Sequence, residues 1–371
     1  MLKKSKTTKP LRLGFLPEND CAPLVIAHEL GLFREVGLAV ELSREASCAS
    51  IRDRIVHRQL DAAHAPATLP FVLTLGLDFE QAACVSGLVL SLQGNALTVS
   101  KKLWAEGVRE AASLRQRIST DWGRRTYTFG VPFPYSAQYF LLCHWLRSAG
   151  LVPHAHVRIV VIPPEQMFPT LELGYLDGFC AGEPWNSVAA EAGAGVILTT
   201  SAQLAPWHPE KALLVREDFA RERAEEHERL IAVLREACAF CALPENHEFV
   251  CEVLAESDYV NAPVECIKAG FAGPVAAPDR RLPHRPPLNV FAQHHANEPS
   301  AARVAWIARQ LSDVLKPVRG KAGRLPALNF IFRADIFQGS ERWLNRTPRK
   351  GGRLWAPAAR GGMLAPSLGV A

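Results

Sequence analysis

The chain carries one pattern twice, about 116 residues apart, and this doubling limits what it can fold into more than any other feature. The first copy opens with an apolar strand-like run, Leu11-Arg12-Leu13-Gly14-Phe15-Leu16-Pro17, and continues in a helical stretch from Ala22 to Phe33. Gly37 then precedes a second apolar run, Leu38 to Leu42, and the copy closes on a helix and Leu60-Asp61-Ala62-Ala63-His64-Ala65. The second copy opens with Tyr127-Thr128-Phe129-Gly130-Val131-Pro132. It passes through a helix, Gln138 to Ser148, then Gly150 and a run from Val157 to Ile162, and ends Leu176-Asp177-Gly178-Phe179-Cys180-Ala181. Each copy reads strand, helix, strand, helix, strand, the unit that builds parallel sheets with helices on both faces. Two such units predict an α/β chain of two lobes facing a cleft, the usual place for a small ligand.

At 371 residues the chain has room for about two domains of ordinary size, and 48% hydrophobic residues can supply a core to both. The formal charge of +5 is concentrated at one end. Residues 341–371 hold Arg342, Arg346, Arg349, Lys350, Arg353 and Arg360 against Glu341 alone, which leaves the body neutral. A neutral body lacks the concentrated basic face that direct nucleic-acid binding needs. Lys3 to Lys9 run straight into the first strand with no apolar leader core, and no apolar stretch is long enough to span a bilayer. Nine cysteines, an odd number scattered through core elements, fit a reducing compartment. Cys238 and Cys241 form a CxxC inside a helical run, Leu230 to Leu243, with no second pair at zinc-site spacing. The expectation is a cytoplasmic protein with no metal, no cofactor and no membrane insertion.

The order of elements predicts lobe one from 11–97 and a mostly helical return over 214–338, with lobe two from 98–213 between them. Pro274 to Pro287 reads as a loop, Val304 to Leu315 as a helix packed on lobe one, and 339–371 as a disordered basic tail.

Ligand-binding candidates follow from where the strands end. Asp20-Cys21-Ala22-Pro23 joins the first strand to its helix, where Asp20 suits a cap and Pro23 an early helical position. Cys48 lies between the second run and a helix starting near Ser50. Gly94 and Asn95 fall where the chain should leave lobe one, and their amides can donate to an oxyanion. Gln138, after Phe133-Pro134, brings an amide to lobe two, while Glu183 and Trp185 end a strand there. Lys211, just before the apolar run Ala212 to Val215, is the cation best placed near the second crossing. Glu172, Asp177 and Glu183 are unpaired with any nucleophile. No Gly-x-Ser-x-Gly elbow, P-loop or GxGxxG is present, so the reading is a binding protein and not an enzyme.

At these residues the chain resembles the nitrate and bicarbonate solute-binding protein family of ABC transporters. The resemblance rests on Asp20-Cys21-Ala22-Pro23, Gly31-Leu32-Phe33, Asp53-Arg54 and Gln59-Leu60-Asp61-Ala62-Ala63-His64. It continues through Gly94-Asn95, Phe133-Pro134, Trp145-Leu146, Pro163-Pro164, Gly182-Glu183-Pro184-Trp185-Asn186 and His208-Pro209-Glu210-Lys211. It implies a two-lobed periplasmic-binding-protein type II fold with parallel-rich sheets and an interlobe cleft. Members without a secretion signal are similar to cytoplasmic nitrate/nitrite sensors (NasS type), which hold an ANTAR-type RNA-binding antiterminator inactive until the anion arrives. The other branch comprises solute-binding components of transporters for nitrate or bicarbonate. Nitrate-binding members carry a tryptophan where this chain has Cys48 and a histidine where it has Gln138, the residue bicarbonate binders tend to use. Lys211 matches the nitrate-type cation, where bicarbonate binders tend to place an acid. The implied ligand is nitrate or nitrite, with bicarbonate the alternative, and Lys211 is the implied lone countercharge.

Overall fold

The computed structural model describes residues 9–273, 288–319 and 328–344. The chain lays down β1 (Leu11–Phe15), β2 (Val40–Arg44), β3 (Ala62–Pro66), β4 (Cys84–Val85) and β5 (Val89–Gln93). It then builds β6 (Asn95–Ser100), β7 (Tyr127–Val131), β8 (Val157–Val161), β9 (Gly178–Gly182) and β10 (Gly195–Thr200), and returns as β11 (Pro209–Arg216) and β12 (Asn289–Val290). One sheet has the order β12-β5-β11-β3-β1-β2, with β4 also on β11, and the other β10-β6-β9-β7-β8.

The repeat read from the sequence is a repeat of register. Leu13 faces Ala62 and Gly14 faces Ala63 across β1 and β3, while Phe129 faces Gly178 and Gly130 faces Phe179 across β7 and β9. The same aspartate closes each unit. Asp61 Oδ2 accepts from Arg12 N at 2.9 Å, and Asp177 Oδ2 accepts from Thr128 N at 2.8 Å. Gly14 and Gly130 are equivalent too: an added Cβ would press on Leu60 and Leu176 respectively, so both positions need the small residue for the helix side to seat.

Two expectations are corrected. The lobes cross at Gly94 and between Thr200 and Pro209, not after residues 97 and 213. Asn95 already pairs with Gly182 in the second sheet, and Lys211 pairs with Pro66 in the first. The sheets are also mixed and not parallel-rich. β1 and β7 have parallel neighbours, but β6 and β10 add antiparallel in the second sheet, and β11, returning from the second lobe, pairs antiparallel with β3 and β5, as β12 does with β5.

The return is helical as expected, through Glu217–Glu222, Ala224–Cys241, His247–Leu254, Val264–Ala272 and Ala301–Arg319. The last of these bridges the lobes instead of serving lobe one alone, since Trp306 meets Phe140 at 6.4 Å and stacks on His208 at 5.4 Å. The supposed tail begins in structure: helices Ala334–Gly339 and Glu341–Leu344 pack back on the Ala224–Cys241 helix, with Arg342 paired to Glu228. The Pro274 to Pro287 loop and the tail from residue 345 lie outside the described residues. Among the described residues no helix is long and apolar enough to cross a membrane.

Candidate functional site

Lys211, third residue of β11, is completely buried between the lobes. Antiparallel pairing with β3 sets it on the same face as His64, because Lys211 opposes Pro66 and Leu213 opposes His64. Successive strand residues normally point to opposite faces. The register shift between Pro209 and Lys211 against β5 bulges the strand, and Glu210 turns toward its own neighbour. The Lys211 ammonium thus stands 3.0 Å from Glu210 Oε1, 2.9 Å from Asp20 Oδ2 and 3.0 Å from Glu18 Oε2.

The expectation of a lone countercharge is therefore corrected: three buried carboxylates surround this one ammonium. Each carboxylate has a different second set of partners. Asp20 has His64 Nε2 3.0 Å from Oδ1, too far off axis for a hydrogen bond, and Ser91 Oγ at 3.5 Å. Glu210 accepts from Gln138 Nε2 at 2.9 Å and from Asn95 Nδ2, both reaching across from the second lobe, and meets His208 Nε2 at 3.3 Å. Glu18 has a single further donor, Gly182 N, at 3.2 Å.

The protonation states follow from these surroundings. Burial works against the Lys211 charge, but Asp20, Glu18 and Glu210 outweigh it and hold the ammonium protonated. Burial also works against Asp20, where Lys211 and His64 prevail and keep the acid ionised below its ordinary range. Glu210 is lowered likewise, by Lys211 and His208 against burial. Glu18 goes the other way: burial pushes it up to about 7, Lys211 opposes the rise, and the Asp20 and Glu210 charges add to it. His64 is held neutral by burial, against the pull of Asp20. The His208 ring has an oxygen at each nitrogen, Ala205 O 2.8 Å from Nδ1 and Glu210 Oε2 3.3 Å from Nε2.

The other candidates sort around this cluster. Asn95 opens β6 and links Gln138, through its Oδ1 at 2.8 Å, to Glu210. Gln138 sits in the first turn of a helix capped by Ser136, whose Oγ accepts from Tyr139 N at 3.2 Å; its own Oε1 is buried without a partner. Gly94 is the crossing itself, at φ +98, with Asn289 where a Cβ would be. Cys48 begins a helix capped by Ser47, two residues before the expected start. Burial pushes its thiol far up, with Glu18 adding and Lys211 opposing, so it is a neutral group beside the cluster. Asp20 does not cap a helix; Cys21 takes the N-cap position, and Ala22 and Pro23 form the buried first turn.

Two candidates lie apart from the ammonium. Glu183 accepts from Ser187 N at 3.0 Å, and burial pushes it up to about 7. Trp185, in the second lobe, reaches the first: its Nε1 donates to Pro17 O at 2.9 Å, and it belongs to the apolar cluster that includes Leu13 and Phe15. Asp177 belongs to the strand repeat, as above, and Cys238 and Cys241 are buried core thiols. The sequence reading missed Glu18, His64, His208 and Glu210 as site residues. Signals existed: Pro17-Glu18-Asn19-Asp20 puts two acids in one strand-to-helix loop, and His64 is the single polar residue of β3.

The closed arrangement binds the lobes to each other. Asn19 N donates to Glu183 O at 2.7 Å, Glu183 N to Gly94 O at 3.1 Å and Thr68 Oγ1 to Tyr135 O at 2.6 Å. Arg44 also pairs with Glu165 across the gap. A set of buried donors and acceptors between two lobes can enclose a small polar solute, and it includes no nucleophile poised beside a base.

The sequence profile of the NMT1-like family matches residues 4–255. The nitrate import ATP-binding protein NrtC of Synechocystis sp. PCC 6803 is 37% identical over 309 residues, 81% of this chain and 45% of that protein. The bicarbonate transport ATP-binding protein CmpC of the same organism is 38% identical over 310 residues, with the same shares. The chain thus spans about half the length of these relatives. The crystal structure of the periplasmic nitrate-binding protein NrtA from Synechocystis PCC 6803 superposes with a TM-score of 0.82 at 24% identity, over 91% of this chain and 90% of that one.

Proposed function

This chain belongs to the NMT1-like family, and from that premise we propose that it is a non-enzymatic binding protein for one small oxyanion, acting in the cytoplasm as a sensor that controls a partner regulator. The observation that carries the reading is the Lys211 cluster. A fully buried ammonium of the first lobe is met by Gln138 and Asn95 of the second through Glu210, so occupancy and lobe closure are one event. A ligand that binds closed lobes better than open ones shifts that equilibrium, and a partner touching both lobes reads the shift.

The ligand class is nitrate, nitrite or bicarbonate, the anions for which NrtC, CmpC and the nitrate/nitrite binding protein NrtA of Synechococcus elongatus are named. Within it the side chains favour bicarbonate. Three carboxylates and the unpartnered Gln138 Oε1 are acceptors, and bicarbonate alone of the three brings a hydrogen to donate.

Support for the cytoplasm comes from nine cysteines that are all unpaired and buried, and from likeness to segments of two ATP-binding proteins, which work where ATP is. This chain has no P-loop of its own, so the shared segment is not a nucleotide site. The partner implied by the resemblance is an ANTAR-type RNA-binding antiterminator. The second reading, a solute-binding component of a nitrate or bicarbonate transporter, is favoured by the fold-wide likeness to NrtA.

Calorimetric titration with nitrate, nitrite and bicarbonate, alone and with an ANTAR protein encoded beside this chain, tests both. An anion that changes the affinity for that partner is the sensor result. Anion binding with no effect on it favours transport, and no binding to any of the three removes the oxyanion site.

A further inference from the structure

Lys211 cannot pair fully with an incoming anion while its ammonium donates to Asp20 and Glu210 and stands 3.0 Å from Glu18 Oε2. One of them must give way, and the three are not equally provided for. Asp20 keeps Ser91 Oγ and has the His64 ring 3.0 Å from its other oxygen, and Glu210 keeps Gln138, Asn95 and His208. Glu18 keeps one backbone amide, Gly182 N, and is 1% exposed. The groups facing it are Lys211 and Glu210 on β11, Asp20 and the Cys21 thiol on its own loop, and the Cys48 thiol at the start of the Cys48–Val56 helix. Of these only Lys211 is a cation. A carboxylate buried without a cation does not stay ionised.

We infer that a monoanion enters this site together with one proton, and that Glu18 is the residue that takes the proton up. The proton comes from solvent, Glu18 passes from carboxylate to neutral acid, and Lys211 is freed to face the anion. The burial that already lifts Glu18 to about 7 in the closed lobes points the same way, since a further negative charge nearby lifts it more. The inference rests on the oxyanion site proposed above and adds a proton to its stoichiometry.

The test is titration with nitrate and with bicarbonate between pH 7.5 and 8.5, in two buffers of different ionisation heat, on the full chain and on Glu18→Gln. The glutamine amide keeps an oxygen for Gly182 N and stands in for the protonated acid. The native chain is expected to take up close to one proton per anion and to lose about tenfold in affinity per pH unit, while Glu18→Gln binds with no such slope. A flat native affinity with no proton uptake overturns the inference, and so does an equal slope in Glu18→Gln. Proton uptake is read on the native chain alone, so the inference stands or falls even if the variant does not fold. No binding of either anion at any pH overturns the site itself, a different failure.

Discussion

Gln138 donates to Glu210 at 2.9 Å, joining the first turn of a helix in one lobe to a bulged strand in the other. The two residues are 72 positions apart. Glu210 also holds the ammonium of its own neighbour, so the contact that closes the lobes is the contact that sets the charge of the site.

Lys211 therefore carries stability as well as any ligand. Lys211→Met leaves Glu18, Asp20 and Glu210 buried around no cation, and breaking a buried ion cluster this way costs on the order of 3–5 kcal/mol. Freed of the lysine, the carboxyls titrate above their unfolded values, so the variant gains stability as pH falls. Urea denaturation of native and variant chains at pH 7.5 and pH 5.5 is expected to show a large deficit at the first pH and a smaller one at the second.

Glu183 and His227 give stability of opposite pH sign. Burial raises Glu183 from 4.5 to about 7, so its contribution is complete below about 4.5 and lost as pH rises through 7. The gap between native chain and Glu183→Gln should move in favour of the variant from pH 6 to pH 8. His227 is buried against Phe219 with neither ring nitrogen bonded, and burial lowers it from 6.5 to about 4. Its contribution is complete above 6.5 and lost as pH falls toward 4. His227→Leu should therefore be stabilised relative to the native chain, by more at pH 5 than at pH 8. Thermal melts at pH 5, pH 6 and pH 8 check both signs.

Gly182, the last residue of β9, stands bare against the other lobe. A Cβ there would collide with Glu18 Oε1, which belongs to the other lobe, while the lobe-two core behind it is untouched. Gly182→Ala is expected to fold but to hold the lobes apart, giving a larger radius of gyration by small-angle scattering. A profile identical to that of the native chain would show that the lobes close without the Gly182–Glu18 contact.

Asp61 and Asp177 do the same work in separate lobes. Each accepts from an amide of the first strand and pairs with an arginine, Arg12 or Arg125. Asn at either position should cost about 1–2 kcal/mol through the weakened charge-assisted bonds. Because the pair share no partner, the double variant should lose the sum within about 0.5 kcal/mol in urea denaturation.

The amino-acid order alone determined the two strand-helix-strand units, their matching register, and the return of Ala212 to Val215 to the first lobe. Those features are written in apolar periodicity and in glycine and aspartate at fixed offsets, and they form between near neighbours. It also marked Asn95 and Lys211 as residues near lobe crossings and Gln138 as an amide at a strand-to-helix joint of lobe two. What surrounds the lysine was decided only in three dimensions. Glu18, Asp20 and His64 arrive from 147 to 193 positions away in the numbering, and a bulge that no local pattern announces turns Glu210 onto the same face. Net charge in a buried site is a sum over everything packed there, so a cation that looked solitary along the chain is outnumbered once the lobes meet.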